Sequence, residues 1–351
     1  MERSNFELNK ETGTLSEFDA KRYFSTFGFA IFAYVVISFI SANAIAMLFQ
    51  AYAPELLEIP AVTYLISIVG QYGIGLLPFL LIVSRLPRRT NTSRPFGVGR
   101  TVGGFCVAIA LMSAGSTIGQ FVILLLEMLT KNTLLNPVEK ATANTHWAIN
   151  LIFIAIVMPV IEELVFRKII CDRLLPLGEG YAIVLSALIF GLIHGNFYQF
   201  FYGFFLGLLF AFIYVKTGRV RYSIGYHVLI NFLGGVLLPW INGVLEPIMT
   251  EEMLERMTGV LESGSVEAME AMAAELSKYM VPMLLFMGYE LLFYVASIVG
   301  IITLMINLKK VKFKAGVLPP PKKGRIANIF LNAGVAAAVT AFAGTFILSL
   351  L

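Results

Sequence analysis

The chain has 351 residues, 58% of them hydrophobic and only 14% charged, and its mean hydropathy is +0.81. Soluble domains carry about one-quarter charged residues, so this composition excludes a soluble globular protein and indicates a polytopic membrane protein. The net charge of +4 is small and no nucleic-acid partner is expected; the lipid bilayer is the expected surroundings.

Taken in order, residues 1–24 mix Glu2, Glu7, Glu11, Glu17 and Asp19 with Arg3, Lys10, Lys21 and Arg22. They lack the basic region, apolar core and cleavage site of a secretory signal and read as a soluble, cytoplasmic tail. A span needs about 20 apolar residues. Nine segments approach that length: roughly 25–50, 61–84, 101–129, 147–170, 181–197, 199–215, 222–245, 280–308 and 326–350. The fold expected is all-α, a polytopic transmembrane helical bundle of about eight or nine spans. The fifth and sixth segments are short and joined through Gly195-Asn196-Phe197-Tyr198-Gln199. They are either two spans with a tight turn or one broken element. Irregular backbone at depth is tolerated only beside protein or a water-filled cavity, which suggests a cavity near His194.

Loop 85–100 carries five arginines, and loop 309–325 carries six lysines and an arginine. With the tail and the turns near 167–173 and 216–221, these regions hold 22 of the 26 basic residues. The positive-inside bias then puts these loops and the N-terminus in the cytoplasm and, with nine spans, the C-terminus outside. Residues 25–100 form N-terminal membrane helices, 101–245 a motif-bearing core, and 280–351 C-terminal membrane helices. Between them, 246–279 is an acidic extracytoplasmic loop. Its Met253, Leu254, Met257 and Leu261, then Met269, Met272 and Leu276, predict one or two amphipathic helices, either a solvated lid or a partner-binding surface. Pro319-Pro320-Pro321 is a stiff connector to a last span rich in Ala and Gly, suited to close helix packing.

The centre of the chain is Pro159-Val160-Ile161-Glu162-Glu163-Leu164-Val165-Phe166-Arg167, inside the apolar run 147–170. Charged residues at a helix centre cost about 2.5–3.5 kcal/mol each on insertion scales and are rare without a functional role. Glu163 and Arg167 share a helical face and can pair; Glu162 points about 100° away and has no local cation. Two of the three histidines also lie in apolar segments: His194 closes Phe190-Gly191-Leu192-Ile193-His194, and His227 opens His227-Val228-Leu229-Ile230-Asn231. Phe190 stacks below His194 and can fix its ring. His227 and Asn231 share a face and can present two donors to an oxyanion. Glu162 and an imidazole can share acid–base work on a water, chemistry suited to peptide hydrolysis. A metal is the competing reading, since Glu162, Glu163, His194 and His227 are all zinc-capable. HExxH, GxSxG and phosphate-loop signatures are absent. Cys106 and Cys171 form neither a disulfide framework nor a zinc spacing.

Glu162 to Arg167 matches EExxxR, Phe190 to His194 matches FxxxH, and His227 to Asn231 matches HxxxN. With Gln199, Gly203, Gly207, Tyr214, Thr217 and Gly218 between them, residues 100–240 resemble the CPBP family. That family, also called Abi, comprises CAAX proteases and bacteriocin-processing or bacteriocin-immunity proteins. The resemblance implies an intramembrane glutamic-type endopeptidase with a cavity open to the cytoplasm. Glu162 and His194 would activate water, His227 and Asn231 would hold the oxyanion, and Glu163, Arg167 and Phe190 would support the site. No cofactor is implied, with zinc on Glu162, His194 and His227 as the alternative. A peptide or membrane-protein tail is the implied substrate. The alternative function is a non-proteolytic scaffold or immunity protein holding a membrane or cell-envelope partner; a proton-coupled transporter is a third, disfavoured by the absence of inverted repeats. Counted from its flank at 1.5 Å per residue, His194 lies about 20 Å deep and His227 about 9 Å, so the two meet only if the fifth helix begins below the bilayer or tilts; the former is expected, with 177–183 projecting into the cytoplasmic interface.

Overall fold

The computed structural model describes residues 6–142 and 145–350, and in these every regular element is helical. Seven helices are long and apolar enough to cross a membrane: α1 (Glu17–Tyr52), α2 (Pro60–Val83), α3 (Val98–Thr130), α4 (Trp147–Leu174), α6 (Phe197–Thr217), α7 (Val220–Ile248) and α10 (Met280–Leu308). Two apolar helices are shorter, α5 (Glu179–Leu192) and α11 (Ala333–Leu348). The loop after α7 folds as two amphipathic helices, α8 (Glu251–Ser263) and α9 (Val266–Ser277). They pair through Arg256 and Glu275 at 2.9 Å. The nine apolar segments are therefore nine helical regions, seven of span length. The chain is an integral membrane protein with an all-α bundle.

Three boundaries differ from those read in the sequence. Helix α1 starts within the expected tail, at Glu17, because Ser16 caps it and accepts from Asp19 N at 3.0 Å. The segment before it is not a free tail: Leu15 is buried and its N–H donates to Pro319 O at 2.9 Å. Helix α5 begins at Glu179, two residues before the expected start of the fifth segment. Leu177 and Ile183 are buried, and the start of α5 lies beneath loop 309–324, with Glu179 N donating to Lys314 O and Leu318 N to Pro176 O. The last apolar segment is interrupted before α11, where Asn332 accepts from Val335 N at 3.0 Å.

The fifth and sixth segments are a helical hairpin. At 14 residues, α5 rises about 21 Å, short of a hydrocarbon core of about 30 Å. The turn is made by Gly195, whose φ of 65° is left-handed, and by Asn196, which accepts from Gln199 N at 2.9 Å and donates to His194 O at 2.7 Å. The loops after α2, α4, α6 and α10 gather at one end of the bundle. Arg89 N donates to Asp172 O (2.9 Å) and Arg94 N to Thr217 O (2.7 Å), and Tyr23 OH donates to Arg173 O. Asp172 is buried there between Arg88 (3.0 Å) and the Tyr214 hydroxyl (2.6 Å). The small-residue stripe of α11 does pack closely. A Cβ at Gly334 would stand 1.8 Å from Ser25 O, and one at Gly28 would stand 2.3 Å from the Gly334 carbonyl carbon.

Candidate active site

Helix α4 supplies three charged residues and is irregular around them. Residues Leu151–Val157 and Leu164–Cys171 have π-helical hydrogen bonding, a local form frequent at functional sites. Met158 N bonds to Phe153 O, five residues back. Continuing that pattern, the N–H of residue 159 would reach Ile154 O, but proline has none. The side-chain amide of Asn231 on α7 takes that carbonyl instead, at 3.0 Å. One orphaned acceptor thus anchors Asn231 against α4 and leaves its second amide hydrogen to serve elsewhere.

The two adjacent glutamates have separate environments. Glu163 is fully buried; Arg167 grips it with Nε at 3.0 Å from Oε2 and Nη2 at 3.2 Å from Oε1. Nη1 of Arg167 donates to Ser186 Oγ on α5 at 2.8 Å, and Ser186 donates to Phe166 O at 3.0 Å. Two charge-assisted bonds and a satisfied third arm are what a buried arginine–carboxylate pair requires. Glu162, one residue earlier, retains 15% of its side-chain exposure. Its Oε1 accepts from the Tyr72 hydroxyl at 3.0 Å, and its Oε2 lies 3.6 Å from His227 Nε2.

His227 bridges the two carboxylates, since its Nδ1 lies 3.3 Å from Glu163 Oε1. The Phe190 ring meets His194 edge-on at 5.2 Å and His227 at 5.6 Å, and the Arg167 guanidinium lies 5.1 Å over it. Phe190 therefore packs against two imidazoles and a guanidinium at once. His194 Nδ1 lies 2.7 Å from Phe190 O. If Nδ1 carries the hydrogen in that contact, the neutral ring presents a free Nε2. The fold thus gathers Glu162, Glu163, Arg167, Phe190, His194, His227 and Asn231 around α4, α5 and α7. Among the described residues, however, no three His, Cys, Asp or Glu side chains converge as a metal site. Of the alternative zinc set, His227 Nε2 and Glu162 Oε2 lie 3.6 Å apart. Two cavities of the structure, at the loop end of the bundle and between α8 and α9, are lined by other residues.

Tyr72 and Ser186 were not singled out from the sequence. Tyr72 carried a signal: Val69-Gly70-Gln71-Tyr72-Gly73-Ile74-Gly75 is a polar, glycine-rich interruption of an apolar span, and it forms the π-helical part of α2. Ser186 carried none, because a serine about two turns along an apolar helix has no distinguishing pattern.

A family model described as "Rce1-like: Type II CAAX prenyl endopeptidase Rce1-like" matches residues 144–233, the stretch holding all three motifs. That motif-bearing stretch is similar to the type II CAAX prenyl endopeptidases. A Bacillus subtilis (strain 168) protein named "Putative membrane peptidase YdiL" is 26% identical over 242 residues, covering 64% of this chain and 95% of that relative. No solved structure matches. Both likenesses support a membrane endopeptidase, a hydrolase.

Proposed function

We propose that this chain is a CPBP endopeptidase, glutamic-type and metal-independent, with Glu162 as the group that activates water. The observation carrying this reading is the division of labour between neighbours. Glu163 is sealed into an ion pair with Arg167, whereas Glu162 keeps an accessible carboxylate held by one hydroxyl and facing an imidazole. Glu162 takes a proton from water as the oxygen attacks the scissile carbonyl, and His194 Nε2 shuttles that proton to the leaving amine. The free amide hydrogen of Asn231 and the His227 ring stabilise the oxyanion. Glu163 and Arg167 orient His227, and Phe190 orients His194.

The substrate class is a peptide or a membrane-protein tail. We place the basic loop end of the bundle in the cytoplasm, supported by the charge bias of the loops. The test compares native membranes bearing the wild-type chain with those bearing Glu162→Gln at equal abundance, reading new C-termini in the membrane peptidome. Products lost in the variant and retained in chelator support the reading. Products retained in the variant sink the assignment of Glu162 and leave the scaffold alternative; products lost in chelator sink metal independence.

A further inference from the structure

At the loop end, well away from Glu162, the structure forms a cavity of about 380 Å³. Its walls come from loop 89–94, the ends of α4 and α6, the start of α5 and loop 309–324. Arg89, Arg94, Lys216 and Lys314 line it, with Glu179 as its one carboxylate. Glu179 is already answered: Lys216 pairs with it and Lys314 N donates to it at 3.0 Å. The side chains of Arg89, Arg94 and Lys314 have no hydrogen-bond or ion-pair partner among the described residues. Three unpartnered cations facing one concavity repel each other until an anion enters.

The cavity is built rather than incidental. Asn91 donates its side-chain amide to Val215 O, and Arg89 N and Arg94 N are tied to Asp172 O and Thr217 O. Opposite, Lys216 also donates to Lys312 O at 2.7 Å, and Gly178 bridges to Ala315, so loop 309–324 is pinned as well. The cavity sits where span-length helices end, which is headgroup depth in a bilayer. Phe313 beside it is 55% exposed with Lys216 at 5.4 Å from its ring, the placement of an interfacial aromatic anchor. Basic pockets between helices at this level suit phosphate-bearing headgroups.

We propose that this cavity binds a phosphate group, supplied by the headgroup of an anionic phospholipid, and that the bound phosphate clamps loops 89–94 and 309–324 together. The full-length protein in neutral detergent is titrated with phosphatidylglycerol, with phosphatidylcholine as control, and bound lipid is read by native mass spectrometry. A parallel arm reads thermal stability in inorganic phosphate. Phosphatidylglycerol is expected to bind in preference to phosphatidylcholine. The Arg89→Gln/Arg94→Gln/Lys314→Gln variant is expected to weaken it on the order of a hundredfold, at about tenfold or less per cation. Its unliganded melting temperature should be no lower than the wild type's, since the three side chains make no hydrogen bonds or ion pairs to lose and their mutual repulsion is relieved. Stabilisation by inorganic phosphate alone, lost in the same variant, also supports the site and names free phosphate as a sufficient source. Equal phosphatidylglycerol affinity in wild type and variant, or no preference over phosphatidylcholine together with no phosphate effect, overturns the proposal. Glu162→Gln leaves this binding unchanged, so the result stands apart from the catalytic reading.

Discussion

Substituting Arg167 by Met isolates what the buried pair contributes. Arg167 and Glu163 are both fully buried, joined by contacts of 3.0 and 3.2 Å, and Arg167 also holds Ser186 at 2.8 Å. Arg167→Met keeps much of the volume but leaves the Glu163 carboxylate buried with His227 Nδ1 at 3.3 Å as its remaining side-chain partner. Removing one member of a buried ion pair costs about 3–5 kcal/mol. That is a large share of a total stability of about 5–15 kcal/mol. Glu163→Gln/Arg167→Met removes both charges and should recover about half of the loss or more, because no uncompensated charge stays behind. The assay is a double-mutant cycle on thermal unfolding in one detergent, with both single variants and the double. If Arg167→Met alone costs under about 1 kcal/mol, or if the double variant falls as far as the sum of the singles, the pair is not the coupled buried unit described here. The recovered double variant should still have impaired peptidase activity, since His227 would have lost the carboxylate that orients it.

Tyr72→Phe removes one hydrogen bond to a carboxylate, worth about 1.5–3 kcal/mol of stability, and should lower the melting temperature as well as kcat; an unaltered kcat would remove Tyr72 from the site. Asn231→Ala should lower kcat about 10²–10³-fold, the range for one oxyanion donor, and a KM effect alone would refute that role. Gly334→Val places a side chain within 1.8 Å of Ser25 O, so α11 should undock from α1. Limited proteolysis between 309 and 332 would show it as faster cleavage; unchanged cleavage would show that the crossing tolerates the added volume.

The helices and the motif residues were legible in the sequence because both depend on local pattern. Apolar run length decides which segments can be buried in lipid, and nine runs became nine helical regions. The four-residue spacing of Glu163 and Arg167 guarantees a shared face, and that pair formed. The double helix of the acidic loop followed from its Met and Leu period. The same spacing leaves Glu162 as the unpaired glutamate, about 100° away, but what holds and faces its carboxylate did not follow, because only neighbours on other helices decide that. Tyr72 reaches Glu162 across 90 residues of sequence, and Asn231 reaches Ile154 across 77. The second contact exists because a proline and a π-helical turn together free one carbonyl, a local defect whose partner lies on another helix. Likewise the apolar content of α5 fixed its helicity, while its burial under loop 309–324 depended on hydrogen bonds from Glu179 and Leu318 to distant backbone. Local periodicity determines what each helix can bury; only the packed tertiary structure selects the partner that satisfies each remaining charge, donor and acceptor.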